Sequence, residues 1–247
     1  MYNLYNGDFV EKTKENIKNN TIDCIISDPP FGVEFKNDIY DDSEDYIMKN
    51  IDSWYKEWYR ILKDDCYLFL YVGVKNLHVW ISKGIEHGFN YKNIVAVRNF
   101  NNGRAIPKNN FGSQFQPILV FSKGKGKKFN EVDFIPTSTG WYKDKRNKNP
   151  KPYTYVYPNW IKSEWTFATA KRANKNLHPN EKNVDLIKFL IEISTKENET
   201  VFDSFFGSCS TGVAALKSKR NFIGIELDNK YYNLGNERLE KCLKWWF

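Results

Sequence analysis

Strand-like and helix-like hydrophobic patterns alternate along this chain on both sides of one irregular stretch. Residues 22–27 form a short apolar run that ends in a proline turn, and residues 66–72 form a second run suited to a strand buried on both faces. Between them, apolar side chains recur every three or four residues over 46–62, which predicts an amphipathic helix. This alternation predicts an α/β fold built on a doubly wound, mostly parallel sheet.

The alternation continues to the end of the chain. Further strands are predicted at 93–97, 116–122, 200–203 and 222–226, and further helices at 77–87, 184–194, 211–219 and 230–243. Periodicity fades from about residue 123 to residue 176. We therefore expect 1–122 and 177–247 to be two halves of one sheet domain and 123–176 to be an insert.

Positive charge is concentrated in the middle of the chain. Residues 98–176 carry 16 basic and 4 acidic side chains, a net of +12, whereas the rest carries 21 and 26, a net of −5, which together give +7. Aromatic residues such as Trp141 and Tyr153 are interleaved with these lysines. Cations neutralise phosphates and flat rings stack on bases, so the segment favours nucleic acid as a partner. The alternative is a solvated lysine-rich loop whose rings fill a small core.

Cysteine and histidine usage argues against a metal protein. The four cysteines and three histidines are scattered, with no pair at metal-ligand spacing, so a zinc site is not expected. Apolar runs are all shorter than the roughly 20 residues that a membrane span needs, and the first residues do not resemble a signal peptide. We therefore expect a reduced, cytoplasmic protein without a membrane partner.

Two strand ends in the last third carry acids typical of a nucleotide-binding sheet. Asp203 closes one predicted strand, and the turn containing Gly207 that follows it lets backbone approach a polar ligand. Glu226 closes the next strand, where a carboxylate can accept hydrogen bonds from both ribose hydroxyls of a nucleoside. The turn matches neither GxGxxG nor GxxxxGK, which weakens NAD and ATP as ligands. Taken singly, these pieces are also compatible with a tight turn and a helix cap.

The turn at 28–31 offers hydrogen-bond acceptors beside an aromatic ring. Pro29 and Pro30 lack backbone N–H groups, so carbonyl oxygens are left free beside the Asp28 carboxylate and the Phe31 ring. This set suits an amino group conjugated to a flat ring, which has two hydrogens to donate and a face to stack. The alternative is a proline turn with a packed phenylalanine.

A fourth candidate element precedes the helix predicted at 184–194. His178 begins the run His-Pro-Asn-Glu-Lys, and a lone His-Pro pair is usually a turn. The ammonium of Lys182, just upstream of the strand that ends at Asp203, can meet a ligand carboxylate.

In these motifs and their order, the chain resembles the β-class amino-methyltransferases of DNA, which use S-adenosylmethionine. The catalytic motif comes first, the basic insert next and the cofactor loop last, which is the permuted order of that class. The resemblance implies that the catalytic residues are Asp28, Pro29, Pro30 and Phe31. It implies that the cofactor-binding residues are Asp8, Phe9, His178, Lys182, Asp203, Phe205, Gly207, Ser208 and Glu226.

The resemblance also implies a fold, a cofactor and partners. We expect a Rossmann-like methyltransferase sheet, with 1–122 as its catalytic half, 123–176 as a target-recognition insert and 177–247 as its cofactor-binding half. S-adenosylmethionine is the implied cofactor, and double-stranded DNA with a flipped target base is the implied substrate. Adenine N6 is favoured because the motif begins with Asp; cytosine N4 is the alternative, and a DNA-binding relative that has lost catalysis is a second alternative. A homodimer and a cognate restriction nuclease are compatible with the resemblance.

Four positions depart from the family pattern. Ser204 and Asn183 stand where proline is usual, Cys209 where glycine is usual, and Phe31 where tyrosine is commoner. Phe31 keeps the stacking face and loses only a hydroxyl, whereas Cys209 brings a Cβ into the cofactor loop.

Overall fold

The computed structural model describes residues 1–32, 42–98, 115–130, 134–141, 152–158 and 181–246. Its strands are β1 (Tyr2–Asn6), β2 (Ile22–Ser27), β3 (Leu62–Tyr71), β4 (Asn90–Arg98), β5 (Phe115–Ser122), β6 (Phe134–Trp141), β7 (Pro152–Pro158), β8 (Thr200–Asp203) and β9 (Asn221–Glu226). Its helices are α1 (Phe9–Asn16), α2 (Glu44–Ile61), α3 (Leu77–Glu86), α4 (Val184–Ser194), α5 (Ser210–Lys217) and α6 (Asn229–Trp246). Within these ranges, no helix has both the length and the hydropathy that crossing a bilayer requires.

Seven strands form one sheet in the order β1-β9-β8-β2-β3-β5-β4. The first five strands in this order run parallel to one another, whereas β5 is antiparallel to both of its neighbours. The predicted α/β fold with a doubly wound, mostly parallel sheet is therefore confirmed. Because parallel strands point the same way, the carboxyl ends of β1, β9, β8, β2 and β3 lie along one edge.

The third strand illustrates how the sheet is buried on both faces. Leu68 and Leu70 belong to a core cluster that includes residues of α1, α2 and α3, whereas Phe69 and Tyr71 belong to one that includes residues of α4, α5 and α6. The two sets alternate because successive side chains of a strand point to opposite faces. Full burial of each such apolar side chain contributes about 1.5–3 kcal/mol.

Helix α2 forms where the apolar repeat predicts it. The helix begins after Ser43, whose hydroxyl accepts a hydrogen bond from the Tyr46 N–H at 3.1 Å. This is an N-cap, which satisfies one of the free donors of the first turn. The stripe that faces the sheet is fully buried and comprises Ile47, Ile51, Trp54, Trp58 and Ile61.

Two parts of the fold differ from the sequence-based expectation. Hydrophobic periodicity does not predict β1 or α1, which are only five and eight residues long. The segment 123–176, expected to lack regular pattern, contains β6 and β7, which pair antiparallel in a separate two-stranded sheet. Much of this segment lies outside the described residues.

Candidate active site

The carboxyl ends of five neighbouring strands bring four acids and one phenol to the same edge of the sheet. In order across that edge, these residues are Asp8, Glu226, Asp203, Asp28 and Tyr71. Strands β1 and β9 are joined there by Gly7, whose N–H donates to the Glu226 carbonyl oxygen at 3.0 Å. Residues from both ends of the chain therefore share one site, at the place where parallel α/β sheets bind ligands.

Asp28 binds an ammonium group between two aromatic rings. Its Oδ2 lies 2.6 Å from Lys182 Nζ, and this nitrogen lies 5.3 Å from the Phe31 ring centroid and 5.4 Å from that of Tyr71. Asp28 Oδ1 is buried and has no hydrogen-bond partner among the described residues. Loss of hydration raises the pKa of Asp28, against the opposing effect of Lys182. One carboxylate and two ring faces thus form a cage that holds a nitrogen.

The turn that carries Phe31 is held in place by a buried aspartate. Asp42 Oδ1 accepts hydrogen bonds from the N–H groups of Phe31 at 2.7 Å and Gly32 at 3.0 Å. Gly32 has a φ of +69°, and a Cβ there would come within 2.9 Å of the Ile47 side chain. The turn conformation therefore depends on glycine at 32 and on the carboxylate of Asp42.

The loop after β8 folds against the Glu226 carboxylate. The Gly207 N–H donates to Glu226 Oε2 at 2.8 Å, and the Asp228 N–H donates to Oε1 at 2.9 Å. Burial raises the pKa of Glu226, while these backbone donors act in the opposite direction. Each oxygen keeps a second lone pair, so the carboxylate can still accept hydrogen bonds from two ligand hydroxyls.

The remainder of the loop is fixed by packing on one side and by an arginine on the other. The Phe205 ring packs edge-on against Trp54 at 5.1 Å between centroids. The Ser208 carbonyl oxygen accepts a hydrogen bond from the Arg238 guanidinium at 2.7 Å, and the same guanidinium forms an ion pair with Glu181. Arg238 therefore joins this loop to the segment that carries Lys182.

Asp203 is a buried acid between Glu226 and Asp28 at this edge. It is buried, and its Oδ1 accepts a hydrogen bond from the Phe205 N–H at 3.1 Å. Loss of hydration raises the pKa of Asp203 to about 7, with smaller upward contributions from the charges of Asp28 and Glu226. At neutral pH, Asp203 is therefore divided between its protonated and its charged form.

We expect the contribution of Asp203 to the free energy of unfolding to fall as pH rises between about 4 and 7, because native Asp203 binds a proton that the unfolded chain has released. Asp203→Asn removes this dependence. The free energy of unfolding of the variant, relative to that of wild type, should therefore be about 2 kcal/mol higher at pH 8 than at pH 5. Urea denaturation at both pH values measures it. The exposed Asp45→Asn on α2 is the control, and an equal gain for Asp203→Asn at the two pH values would contradict the raised pKa.

Ser204 takes part in a buried hydrogen-bond network instead of supplying the usual proline. Its hydroxyl lies 2.6 Å from Ser27 Oγ and accepts a hydrogen bond from Trp58 Nε1 at 3.0 Å. Ser27 Oγ also lies 3.4 Å from Asp203 Oδ1. The departure at 204 is therefore matched by an indole donor from α2 that needs an acceptor.

Ser204→Ala should lower the free energy of unfolding by about 1–3 kcal/mol, because it leaves the Trp58 N–H buried without a partner. Chemical denaturation measures this loss. Trp58→Phe removes the donor as well, so the double variant should lose clearly less than the sum of the two single variants. Ser82→Ala on the exposed side of α3 is the control, and additive losses at 58 and 204 would rule out the network.

The remaining predicted cofactor residues have structural contacts of their own. Asp8 caps α1, with its Oδ1 accepting from the Glu11 N–H at 3.0 Å, which leaves the second oxygen for a ligand. Phe9 is buried and stacks on Trp58 with 5.6 Å between ring centroids. Lys182, expected beside a ligand carboxylate, contacts Asp28. His178 lies outside the described residues.

Two further departures from the family pattern also have physical counterparts. Asn183 is the N-cap of α4, and its side chain accepts a hydrogen bond from the Leu186 N–H at 2.9 Å. Cys209 has a φ of +60°, the left-handed conformation in which glycine is favoured, and its side chain is buried. Asn183 thus offers a good replacement for proline, while Cys209 carries backbone strain.

Several contributors to the site have no clear signal in the sequence. Trp58 is predicted as a core residue by its helical spacing, but nothing indicates that its N–H reaches Ser204. Asp42 is one acid among several ahead of α2, and Arg238 is one cation among several on α6. Tyr71 offers one usable signal, which is a hydroxyl near the carboxyl end of the hydrophobic run 66–72.

Most of the chain is similar in sequence to known DNA methylases. A family model described as "DNA methylase", of N6/N4 type, matches residues 22–237. The chain is 28% identical over 247 residues to "DNA adenine methyltransferase YhdJ" of Escherichia coli (strain K12), covering 96% of this chain and 82% of the relative.

Two solved structures share the fold. The M1.HpyAVI–SAM complex has a TM-score of 0.64 and 23% identity, covering 96% of this chain and 100% of that chain. The cytosine-N4-specific PvuII DNA methyltransferase has a TM-score of 0.67 and 19% identity, covering 98% and 90%. The common architecture therefore extends over almost the whole chain.

Proposed function

The chain belongs to the DNA methylase family, and we propose that it transfers a methyl group from S-adenosylmethionine to N6 of adenine in double-stranded DNA. The observation that carries the proposal is the Asp28 carboxylate, which holds a nitrogen against the Phe31 and Tyr71 rings. Glu226, a carboxylate suited to a nucleoside ribose, ends a strand two places away in the same sheet.

The acids at the sheet edge fit the charges of S-adenosylmethionine. Asp28, Asp203 and Glu226 end three adjacent strands, and loss of hydration raises the pKa of each. A ligand with a positive sulfonium and a positive amino group would offset their mutual repulsion. S-adenosylmethionine supplies an electrophilic methyl group when it is bound here.

In this proposal, different residues bind different parts of the cofactor. Glu226 accepts hydrogen bonds from the ribose hydroxyls, and Asp8 accepts one from the adenine amino group through the oxygen that does not cap α1. Gly207 and Ser208 approach the methionine portion, which Gly207 allows because it has no side chain. Lys182 meets the methionine carboxylate when it leaves Asp28.

The turn at 28–31 prepares the nitrogen that receives the methyl group. An aromatic amine is a poor nucleophile because its lone pair is delocalised into the ring. Asp28 and the Pro29 carbonyl oxygen accept hydrogen bonds from its two N–H groups. This favours a pyramidal nitrogen whose lone pair points at the methyl group. Pro30 keeps the turn rigid. Catalysis then rests on positioning and on a negative charge beside a developing cation.

Access to this nitrogen requires the base to leave the duplex. The flipped base stacks on Phe31, and flipping costs a few kcal/mol. We propose that the basic and aromatic segment 123–176 is the target-recognition region, since its cations can contact phosphates and its rings can wedge between bases. Contacts of this kind offset the cost of flipping.

The product distinguishes adenine N6 from its alternative, cytosine N4. DNA is incubated with the protein and methyl-deuterated S-adenosylmethionine, digested to nucleosides and resolved by mass. We expect labelled N6-methyladenine, an expectation supported by Asp at position 28 and by the name of the E. coli relative. Labelled N4-methylcytosine would establish the alternative, for which the PvuII enzyme is a structural neighbour.

A DNA-binding protein without turnover is the second alternative, and the strained Cys209 is its main support. Calorimetric titration with S-adenosylmethionine separates the two functions. We expect saturable binding of one cofactor per chain, and absence of binding would favour the second alternative.

A further inference from the structure

Tyr71 has a buried hydroxyl at the edge of the candidate site, with no hydrogen-bond partner in the part of the chain that the structure describes. It is the last residue of β3, and the β2–β3 register pairs Ser27 with Leu70, so Tyr71 lies alongside Asp28. Its side chain is 2% exposed, and its oxygen forms no hydrogen bond with any described residue. A buried hydroxyl without a hydrogen-bond partner is costly, so its presence at the edge of this site is a sign of a ligand partner.

A second orphaned atom lies in the same cage. Asp28 Oδ1 is buried and has no hydrogen-bond partner within the described ranges, while Oδ2 of the same carboxylate holds the Lys182 ammonium. That ammonium faces the Tyr71 ring at 5.4 Å. Around the Lys182 nitrogen, the cage therefore combines one acceptor, Asp28 Oδ1, and one hydroxyl, Tyr71 Oη, neither of which is hydrogen-bonded to any residue that the structure describes.

Resting on the proposed function, we propose that Tyr71 donates a hydrogen bond to the ring nitrogen beside the target amino group, N1 in adenine. Asp28 accepts a hydrogen bond from the amino group, and Tyr71 donates one to the adjacent ring nitrogen. Together they bind the donor and the acceptor on this edge of the base. Lys182 occupies the amino position in the structure and has to leave as the base enters. Tyr71 is thus a specificity-determining residue.

The electrostatic setting keeps the phenol able to donate. Burial raises the pKa of Tyr71, and the nearby carboxylates of Asp28 and Asp203 raise it further, so the hydroxyl retains its proton. A base with N–H at the ring position, as in guanine, would face the hydroxyl with a donor. The arrangement favours a ring that carries an amino group next to an unprotonated nitrogen.

The test combines Tyr71→Phe with a target base that lacks the ring nitrogen. Duplex DNA containing the methylated site carries either adenine or 1-deazaadenine at the target position, and kcat/KM is measured for both proteins. We expect each single change to lower kcat/KM by about 10–100-fold and the two together to lower it little further, because both remove the same hydrogen bond. Effects of deazaadenine on stacking or on amine reactivity cancel in this cycle.

The control is Tyr67→Phe, which removes a hydroxyl from the same face of β3. Tyr67 donates to the Lys127 carbonyl oxygen at 2.6 Å, so this variant should be less stable but discriminate the two bases as wild type does. Tyr71→Phe removes a hydroxyl that has no hydrogen-bond partner among the described residues, so the stability and cofactor affinity of this variant should equal or exceed those of wild type.

The outcomes separate this inference from the proposed function. The role of Tyr71 would be overturned if the losses in kcat/KM from the two single changes multiply when combined. It would also be overturned if wild type is equally active on adenine and 1-deazaadenine. Either result would leave adenine methylation intact. If cytosine is the methylated base, adenine specificity fails, and the same cycle with 3-deazacytosine tests Tyr71. If Tyr71→Phe does not fold, equal wild-type kcat/KM on adenine and 1-deazaadenine would still overturn the role of Tyr71.

Discussion

Asp28→Asn should lower the rate of methyl transfer by a factor of about a thousand or more while changing S-adenosylmethionine affinity by less than about tenfold. The asparagine side chain keeps the shape of aspartate but has no negative charge to place beside the nitrogen as it becomes cationic. Its amide N–H₂ also presents a donor where Asp28 Oδ1 presents an acceptor. Single-turnover transfer of labelled methyl to DNA measures the rate, and calorimetry measures the affinity.

Asp28→Ala should behave like Asp28→Asn, because both remove the charge. The exposed Asp45→Asn is the matched control and should retain wild-type rates. Turnover within tenfold of wild type in both Asp28 variants would contradict the role of Asp28. A large loss of cofactor affinity with an unchanged transfer rate would move Asp28 from the amino group to the cofactor.

Glu226→Ala should raise the Kd for S-adenosylmethionine by about a hundredfold or more, since each hydrogen bond to a carboxylate is worth about 1.5–3 kcal/mol and two ribose hydroxyls lose theirs. The substitution also removes the acceptor for the N–H groups of Gly207 and Asp228. Glu226→Gln keeps one acceptor oxygen for some of these hydrogen bonds, so its loss of cofactor affinity should be smaller. Calorimetry at fixed pH measures all three proteins.

Glu237→Ala on the exposed side of α6 is the control for charge alone and should bind like wild type. Thermal unfolding without ligand verifies that the Glu226 variants are folded. Unchanged cofactor affinity in a folded Glu226→Ala protein would exclude the ribose assignment.

The sheet could be predicted from the sequence because hydrophobic pattern follows burial directly. The apolar run at 66–72 lies in β3, and the helical stripe from Ile47 to Ile61 lies on the buried side of α2. The strand ends that bear Asp28, Asp203 and Glu226 follow from the rule that parallel strands expose their carboxyl ends together. Short amphipathic elements such as β1 and α1 carry too few periodic residues to be recognised.

The partners of individual polar side chains could not be predicted in the same way. The sequence places Lys182 near the site but cannot decide between a ligand carboxylate and Asp28, since both are anions within its reach. The bond between Trp58 and Ser204 joins residues 146 positions apart and depends on the packing of α2 on the sheet. Likewise, the orphaned hydroxyl of Tyr71 becomes visible only when its neighbours are located.

A crystal structure of the protein with sinefungin, an S-adenosylmethionine analogue that has an amine in place of the transferable methyl group, tests the shared site most directly. We predict ribose hydroxyls within hydrogen-bond distance of the Glu226 carboxylate and the analogue's amine directed at the cage of Asp28, Phe31 and Tyr71. Binding elsewhere, or an amine directed away from Asp28, would contradict it.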